Sequence, residues 1–233
     1  MHSFQVLLST YNGEKFLRQQ LDSILNQSDV NLNLFIRDDG STDRTSEILT
    51  EYDDNYDNIE LIIGKNIGYK ASFMWLVQNS GDHDFFAFAD QDDIWMPDKL
   101  ARAANRITND LDKDKPVFYC SNCTLVNANG EIQGDLFTDA NVVPNGTEEA
   151  FTTLYAYGCT VVYTKSSRNL VTQYSPKESF SHDFWIATIH LFLADIIYDD
   201  ISRIYHRQHV GNVFGGKRIY KQTLFKLRHI KDD

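Results

Sequence analysis

Residues 85–93 read FFAFADQDD, a run of five apolar residues followed by three aspartates within four positions. The apolar run predicts a buried strand, because short apolar runs are typical of strands that are covered on both faces. Aspartates this close together repel one another unless protonation or a cation relieves them. A solvated acidic loop is the common alternative. We favour a ligand site, because ligands bind at the carboxyl ends of strands in open α/β sheets.

Strand and helix patterns alternate around this stretch. Strands are predicted at residues 4–9, 32–36, 59–63 and 85–89, and helices at residues 14–26, 42–52, 69–79 and 97–109. We expect Ser41 or Thr42 to cap the second helix and Pro97 to begin the fourth. Repeated strand–helix units predict a parallel sheet with right-handed crossovers.

The second half of the chain has a different pattern. Residues 117–127 and the strand after Asn129-Gly130 are typical of a hairpin. A further strand is predicted at 155–163 and a helix at 184–193, while residues 135–149 form a long polar loop. We therefore expect an α/β fold with a mostly parallel central sheet flanked by helices, and a smaller antiparallel part.

Composition limits the class of protein. The chain has 233 residues, of which 42% are hydrophobic, which is enough for one compact core. A formal charge of -11 argues against nucleic acid as the main partner. No run approaches the roughly 20 apolar residues of a membrane span, and the first residues begin a strand instead of a signal peptide. We expect a cytoplasmic protein.

The cysteines agree with that location. Three residues, Cys120, Cys123 and Cys159, cannot pair completely. The pair at 120 and 123 lacks the further ligands of a structural zinc site. We expect buried thiols.

Residues 217–233 form a basic amphipathic tail. Six of the 22 Lys and Arg residues lie between Lys217 and Lys231, among apolar residues such as Ile219 and Leu224. Such a helix can lie on an anionic membrane surface. Packing on the body or on a partner chain is an equal alternative.

Polar motifs follow each of the first four predicted strands. They read STYN at 9–12, RDDGS at 37–41, NIG at 66–68 and DQDD at 90–93. Parallel strands end at one edge of the sheet, so the four motifs should converge. Their combination resembles the family 2 glycosyltransferases with the GT-A (Rossmann-like) fold, and FADQDDIWMPDKL at 88–100 is similar to the bacterial rhamnosyltransferase-like branch.

The resemblance covers nearly the whole chain and implies its organisation. A GT-A domain would span residues 1–216, and the C-terminal tail would follow as a helical segment. Within that domain, residues 1–110 would form the nucleotide-sugar-binding half and residues 111–216 the acceptor-side half.

The resemblance also implies how the nucleotide is bound. Thr10 and Tyr11 would contact the base, and Asp39 would accept a hydrogen bond from a base N–H with Asp38 beside it. A strand-end core position is the alternative for Tyr11. A carboxylate that accepts an N–H suits uracil or thymine, although guanine also has such donors, so UDP or dTDP is favoured and the base stays open.

Ribose and metal roles follow for the acidic turn. Asp90 would face the ribose and Asp92 would bind Mn2+ or Mg2+, which bridges both phosphates. Asp93 serves either this site or the start of the next helix. Asn66 and Gly68 would let the backbone approach the nucleotide, or Asn66 is a turn residue in a left-handed conformation.

Residues 181–185, SHDFW, resemble the acceptor-side motif of this family. Asp183 would be the catalytic base of an inverting transfer, and His182 and Trp185 would contact the acceptor. The family more often has Trp at the position of Phe184. Asp183 could also cap the helix that follows, and Trp185 could simply pack.

Residues 205–212, YHRQHVGN, resemble the segment that closes over the diphosphate. His209 would ligate the metal or bond a phosphate, and Arg207 would offset negative charge. The family usually has Gly directly after this histidine, whereas Val210 stands here.

Together these features imply an inverting, metal-dependent transferase. It would move a sugar, with rhamnose favoured by likeness alone, from a nucleotide diphosphate to a hydroxyl of a cell-surface glycan or lipid-linked precursor. The tail would add a peripheral contact at the inner face of the membrane or a homo-oligomer contact. A nucleotidyltransferase competes, but it should carry a Gly-rich loop with a basic residue after the first strand to hold a triphosphate, and residues 9–13, STYNG, do not supply one. A non-catalytic glycan-binding subunit is the third hypothesis.

Overall fold

The computed structural model describes residues 1–138, 142–144, 155–174, 180–210 and 212. Its first half alternates strands and helices, as the hydrophobic periodicity predicts. The strands are β1 (Ser3–Thr10), β2 (Asn31–Asp38), β3 (Ile59–Ile63) and β4 (Phe85–Ala89). The helices are α1 (Leu17–Leu25), α2 (Thr45–Asn55), α3 (Tyr69–Asn79) and α4 (Lys99–Asp110).

Shorter strands dominate the second half. They are β5 (Ile94–Trp95), β6 (Val117–Ser121), β7 (Thr124–Asn127), β8 (Ile132–Asp135), β9 (Val162–Thr164), β10 (Asp195–Asp199) and β11 (Ile204–Gln208). Two helices, α5 (Lys165–Val171) and α6 (His182–Leu193), follow β9. Sequence periodicity missed β5, β10 and β11; the two residues of β5 are too few for a period to show.

Two sheets organise these strands. The larger has the order β10-β6-β9-β4-β1-β2-β3 and the smaller the order β5-β11-β7-β8. Pairs among β1, β2, β3 and β4 are parallel, whereas β9 runs antiparallel between β4 and β6. The predicted mostly parallel sheet with a smaller antiparallel part is therefore confirmed.

The sequence predicts that residues 117–127 form one strand. The structure instead has two strands there, β6 and β7, which belong to different sheets. The break lies at Asn122, whose backbone N–H bonds to the Asp199 carbonyl and whose Nδ2 bonds to the Phe137 carbonyl. These distant partners turn the chain out of the larger sheet. The predicted hairpin is confirmed for β7 and β8, with Gly130 at φ +85° in the turn.

The strand predicted at 155–163 is mostly wrong. Only Val162–Thr164, β9, forms a strand, because a 3-10 turn at Gly158–Thr160 interrupts the segment before it. Most of the loop predicted at 135–149, and the whole tail from residue 217, lie outside the described residues.

Three helices, α1, α2 and α4, begin later than their sequence signals suggest, whereas α3 begins at Tyr69 as predicted and α6 begins at His182, two residues earlier than predicted. The α1 helix starts at Leu17 instead of Glu14, because the N–H groups of Phe16 and Leu17 both turn back to the Gly13 carbonyl. The α4 helix starts at Lys99, after a turn to the Met96 carbonyl that uses Pro97.

Ser41 and Thr42 do not cap α2. The Ser41 hydroxyl accepts a bond from the Asn12 N–H, and the Thr42 N–H donates to Asn12 Oδ1. The N-cap position belongs to Arg44, whose side chain makes no cap bond, and Asp43 Oδ1 accepts from the Thr45 N–H at 2.9 Å. Polar residues before this helix therefore tie two loops together.

Both faces of the larger sheet are covered. Val6 and Leu8 pack with α1, α2 and α4 on one face, whereas Leu7 packs with α3 and α6 on the other. This alternation follows from the two-residue period of a strand. The three cysteines are free and buried, as expected. Within the described residues, no helix has the length and apolarity that crossing a membrane requires.

Candidate active site

A cavity of about 310 Å³ lies at the carboxyl ends of the central strands. The motifs that follow β1, β2, β3 and β4 converge on it, as the parallel topology predicts. Its polar and acidic lining is Ser9, Thr10, Tyr11, Asp39, Asn66, Asp90, Gln91, Asp92, Asp183 and Asn212. The remaining lining is Tyr69, Phe73, Tyr157, Gly158, His182 and His206.

Gln91 holds the loop after β1 in place. Its Oε1 accepts from the Thr10 hydroxyl at 2.6 Å and from the Tyr11 N–H at 2.8 Å, and its Nε2 donates to the Tyr11 carbonyl. Tyr11 is 45% exposed, so the alternative of a core position is wrong. Sequence reasoning missed Gln91, because nothing local marks a glutamine among aspartates as a positioning residue.

Asp39 is a buried carboxylate with most of its acceptor capacity used. Oδ1 accepts from Arg37 Nη1 and from the Ile67 N–H, and Oδ2 accepts from the Gly68 N–H at 2.8 Å. A carboxylate has about four acceptor sites. One site on Oδ2 therefore stays available at the cavity.

Gly68 supports this arrangement from outside the lining. Its φ of +83° is a left-handed conformation that favours glycine. Asn66, which does line the cavity, is not left-handed, so that alternative is wrong. The unusual backbone angle belongs to Gly68, two residues later.

Asp38 lies beneath the loop and does not line the cavity. Its carboxylate accepts from the backbone and hydroxyl of Ser41 and from the Ser46 hydroxyl. The structure thus places Asp38 where it shapes the loop before α2, whereas Asp39 faces the cavity.

The aspartates after β4 share a poorly solvated space. Burial raises the pKa of Asp90 well above its ordinary value, and the charges of Asp93 and Asp92 add to the effect. Burial and the charge of Asp93 also raise the pKa of Asp92, against the bond from His209. Asp92 Oδ2 lies 2.7 Å from His209 Nε2. The predicted metal ligands are therefore neighbours.

These groups fit a divalent cation. Asp92 and His209 supply an oxygen and a nitrogen, and Asp90 adds a second carboxylate nearby. A cation here would favour the ionised carboxylates and so reverse the rise in their pKa values. The donor set suits Mn2+ or Mg2+ through its carboxylates.

Asp93 points away from that position. It is fully buried, and its Oδ1 accepts from His206 Nδ1 at 2.8 Å and from the Arg207 N–H at 3.1 Å. The alternative that Asp93 serves the start of α4 is wrong. Among the described residues, Asp93, Cys159 and His206 hold ligand atoms within 4.8 Å of one another, but burial and the charges of Asp93 and Asp90 raise the pKa of the Cys159 thiol well above its ordinary value and so disfavour the thiolate that a metal would need.

Arg207 lies behind the acidic turn and outside the cavity lining. Its guanidinium donates to the carbonyl oxygens of Asp92 and Ala128 and to Gln19 Oε1. These bonds hold the acidic turn in place. The turn therefore lies between the positive charge of Arg207 and the cavity.

Asp183 lies in the first turn of α6 and lines the cavity. Its Oδ1 accepts from the Phe184 N–H at 2.8 Å. The N-cap position belongs to Ser181, so the predicted alternative of an N-cap role for Asp183 is wrong. A carboxylate at a helix start is also favoured by the helix dipole.

His182 is held inside an aromatic pocket next to Asp183. Its ring stacks on Phe73 at 4.0 Å, and among the described residues neither ring nitrogen has a hydrogen-bond partner. Burial lowers its pKa, so the ring is neutral. Gly158 explains the close packing, since a Cβ there would lie 3.0 Å from His182 Nε2.

Trp185 faces the other way. It packs against the core cluster beneath α3 and α6 and does not line the cavity. Of the two residues predicted to contact an acceptor, only His182 thus borders the cavity.

Known proteins share these features. The model for glycosyl transferase family 2 matches residues 5–131, more than half of the chain. The chain is 40% identical over 101 residues to the dTDP-rhamnosyl transferase RfbG of Shigella flexneri, covering 41% of this chain and 35% of that protein. It is 35% identical over 98 residues to the putative glycosyltransferase EpsE of Bacillus subtilis, covering 42% and 35%.

Solved structures resemble the whole fold. S. aureus TarS 1-349 in complex with UDP-GlcNAc has a TM-score of 0.67 at 18% identity, covering 96% of this chain and 66% of that one. The mannosyltransferase PcManGT from Pyrobaculum calidifontis, in complex with GDP-Man and Mn2+, has a TM-score of 0.69 at 16% identity, covering 99% and 64%. These likenesses confirm the predicted GT-A fold.

The curated relatives are longer proteins. The matched region spans only about a third of RfbG and of EpsE. The match to the family model nevertheless includes every strand-end motif of the first half. The chain therefore belongs to glycosyl transferase family 2.

Proposed function

We propose that this chain transfers a sugar from a nucleotide diphosphate to a hydroxyl group, with a divalent metal and with inversion at the anomeric carbon. One observation carries the proposal. The crowded carboxylates Asp90 and Asp92 line the same cavity as the Thr10–Tyr11 loop and Asp183. A nucleotide pocket, a metal-binding turn and a separate carboxylate thus meet within about 310 Å³.

The nucleotide end favours a pyrimidine base. Tyr11 offers an exposed ring for stacking, and Asp39 has about one acceptor site left. Uracil and thymine present one ring N–H, whereas guanine presents an N–H and an amino group side by side. UDP or dTDP therefore matches Asp39 best. The names of RfbG, a dTDP-rhamnosyl transferase, and of TarS with UDP-GlcNAc support this choice.

Asp92 and His209 would hold Mn2+ or Mg2+, with Asp90 beside them toward the ribose. When bound, such a cation would supply neutralisation of the negative charge on the diphosphate. The structure of PcManGT with GDP-Man and Mn2+ supports such a metal in this fold. Arg207 fixes the turn that carries Asp92 through its bond to the Asp92 carbonyl at 2.8 Å.

Asp183 would take the proton from the acceptor hydroxyl. It lies close enough to Asp90 for its charge to contribute to the raised pKa of that group, after burial and the nearer aspartates. A base on the far side of the sugar from the diphosphate permits one in-line displacement, which inverts the anomeric carbon. Neutral His182 packs beside it and keeps this wall of the cavity apolar.

The acceptor is proposed to be a cell-surface glycan or its lipid-linked precursor, and rhamnose is the favoured sugar. Donor screening tests the whole proposal. UDP-, dTDP- and GDP-sugars are incubated with the protein and Mn2+, with and without candidate glycan acceptors. The release of nucleoside diphosphate is then measured. We expect release from a pyrimidine nucleotide sugar that rises with acceptor. Absence of both binding and release across the panel would contradict the proposal.

We also propose that the basic tail, residues 217–233, holds the protein at an anionic membrane surface, with contact to a second copy as the alternative. Attraction to anionic lipid acts through screened charge, so binding should weaken as salt rises. Co-sedimentation with phosphatidylserine-containing and pure phosphatidylcholine vesicles measures this. Equal binding to both, or none, would contradict the membrane role.

A further inference from the structure

The cavity has an unbalanced charge. Four aspartates line it, Asp39, Asp90, Asp92 and Asp183, and among the described lining residues there is no lysine or arginine. A nucleotide diphosphate brings further negative charge. At the reduced dielectric of a poorly solvated site, two like charges at short range repel each other by roughly several kcal/mol. A cationic group besides a metal would therefore favour binding of the diphosphate.

His206 is placed to supply that charge. It belongs to β11 and lines the cavity, although the side chain is only 8% exposed. Asp93 Oδ1 already accepts from the Arg207 N–H, so the contact at 2.8 Å from His206 Nδ1 to the same oxygen is an N–H donation to a carboxylate. This bond fixes the ring orientation. Nε2 has no hydrogen bond from the described residues.

The electrostatics agree with this geometry. Burial alone would lower the pKa of His206, but the charge and hydrogen bond of Asp93, followed by Asp90 and Asp92, raise it to about 9. His182, the other histidine of the lining, has a lowered pKa because it is buried in an aromatic pocket. Of these two rings, only His206 has a raised pKa, which favours its cationic form.

We propose that His206 donates a hydrogen bond from Nε2 to the diphosphate of the donor and stabilises the departing nucleoside diphosphate. This inference rests on the proposed function of the same cavity. Asp93 acts through His206 as a positioning residue, since it orients the ring and touches no substrate. Charge-assisted hydrogen bonds of this kind are about twice as strong as neutral ones.

Two substitutions separate the ring nitrogens of His206. In His206→Asn the side-chain amide replaces Nδ1 and keeps the bond to Asp93, but nothing reaches the cavity. In His206→Gln the longer side chain places its amide near the position of Nε2, while the bond to Asp93 is lost. Calorimetric titration with UDP and dTDP in the presence of Mn2+ is compared with titration with uridine and thymidine.

We expect His206→Asn to weaken binding of the tighter diphosphate by about tenfold to a hundredfold, with nucleoside binding unchanged. His206→Gln should retain part of the diphosphate affinity, since its amide is a neutral donor. A structural defect would weaken nucleoside and diphosphate alike. If wild-type protein binds diphosphate and His206→Asn binds it equally well, the role of His206 is wrong. If wild-type protein binds neither diphosphate, the proposed function itself fails.

A spectroscopic measurement covers the case in which the variants fold poorly. In wild-type protein labelled with 15N-histidine, the ring nitrogens of an imidazolium that bonds a phosphate should shift when UDP or dTDP is added with Mg2+, which is not paramagnetic. We expect one histidine outside the metal site to shift in this way. No histidine shift at saturating diphosphate would overturn the proposal.

Discussion

Asp92 shows how a single side chain combines a cost in stability with a role in binding. Its pKa is raised by burial and by Asp93, so the ionised form is unfavourable in the folded state without a cation. The same crowding would favour a divalent ion at this position, as the proposed function requires. Opposite effects on stability and on binding are therefore expected when this carboxylate is removed.

Asp92→Asn should lower the affinity for UDP or dTDP in the presence of Mn2+ by at least about tenfold. Mutation of a residue that only hydrogen-bonds a metal ligand already costs about that much, so loss of a ligand should cost no less. The melting temperature of the metal-free protein should stay equal or rise, because one buried negative charge is gone. Calorimetry and a melting curve measure the two effects. Asp53→Asn, at an exposed position of α2, is the control. Unchanged Mn2+ dependence would show that the metal is held elsewhere.

Asp183→Asn should slow transfer by a factor on the order of 10² to 10⁴, since the proton acceptor is lost. Stability should change by no more than about 1 kcal/mol, because Asp183 contributes to α6 mainly through the helix dipole and Asn keeps an oxygen for the Phe184 N–H. Turnover and denaturant unfolding are measured side by side. Ser181→Ala, at the N-cap without a side-chain cap bond, should leave both nearly unchanged. Normal turnover of the Asp183 variant would place the base elsewhere.

At the scale of elements, α6 carries both the cavity-facing Asp183 and a buried histidine. His190 lies within the core, where its Nδ1–H donates to the Ile186 carbonyl at 2.7 Å and its ring contacts Phe118 at 4.7 Å. Burial lowers its pKa from 6.5 to about 4. The His190 imidazole is therefore neutral where α6 packs on the sheet. It becomes easier to protonate when the protein unfolds and the ring is exposed to water.

The free energy of unfolding should consequently fall as pH drops. A histidine with a lowered folded pKa contributes its full stability above the unfolded pKa of about 6.5, and loses it as pH falls toward 4. The full loss from His190 corresponds to about 3 kcal/mol. Denaturant unfolding of wild type and His190→Phe at pH 7 and pH 4.5 measures it. The variant should have a shallower pH dependence, and an equal slope would contradict the assignment.

At the scale of the whole molecule, Asp199 joins α4 to the larger sheet at the point where the chain leaves that sheet. It ends β10, and its carboxylate accepts from Arg102 Nε at 2.6 Å in α4 and from the Tyr119 hydroxyl at 2.9 Å in β6. Its carbonyl accepts from Asn122, where the chain leaves the larger sheet. Burial would raise the pKa of Asp199, but the bonds from Arg102 and its neighbours outweigh it and lower the pKa.

Arg102→Ala should destabilise the fold by up to about 3 kcal/mol, because it removes the nearer of the two arginines that pair with the buried Asp199 carboxylate and leaves only Arg106 Nη1 at 3.4 Å. That value lies at the low end for buried pairs, since Arg102 is partly exposed. Urea unfolding at pH 7 measures the change. Arg44→Ala removes an exposed pair with Glu47 and should cost less than about 0.5 kcal/mol. Similar effects of the two substitutions would show that Asp199 is better solvated than its burial implies.

The sequence by itself determined the first half of this molecule and the set of motifs at its active site. Alternating strands and helices follow from hydrophobic periods that act within about ten residues, and a parallel sheet then brings the ends of β1, β2, β3 and β4 to one edge. This topology alone predicts that the strand-end residues lie together, and the structure has Thr10, Asp39, Asn66, Asp90 and Asp92 around one cavity.

Only the tertiary structure decided the relations between distant segments. His206 and Asp93 are 113 positions apart, and Gln91 and Thr10 are 81 apart, so no local pattern could pair them. The split of residues 117–127 between two sheets depends on partners from Asp199 and Phe137. Arg207 and Trp185 lie outside the cavity lining for the same reason, because Arg207 bonds to distant carbonyl oxygens and Trp185 packs against the core cluster beneath α3 and α6. Propensity acts on neighbours in sequence, whereas packing and buried charge act on neighbours in space.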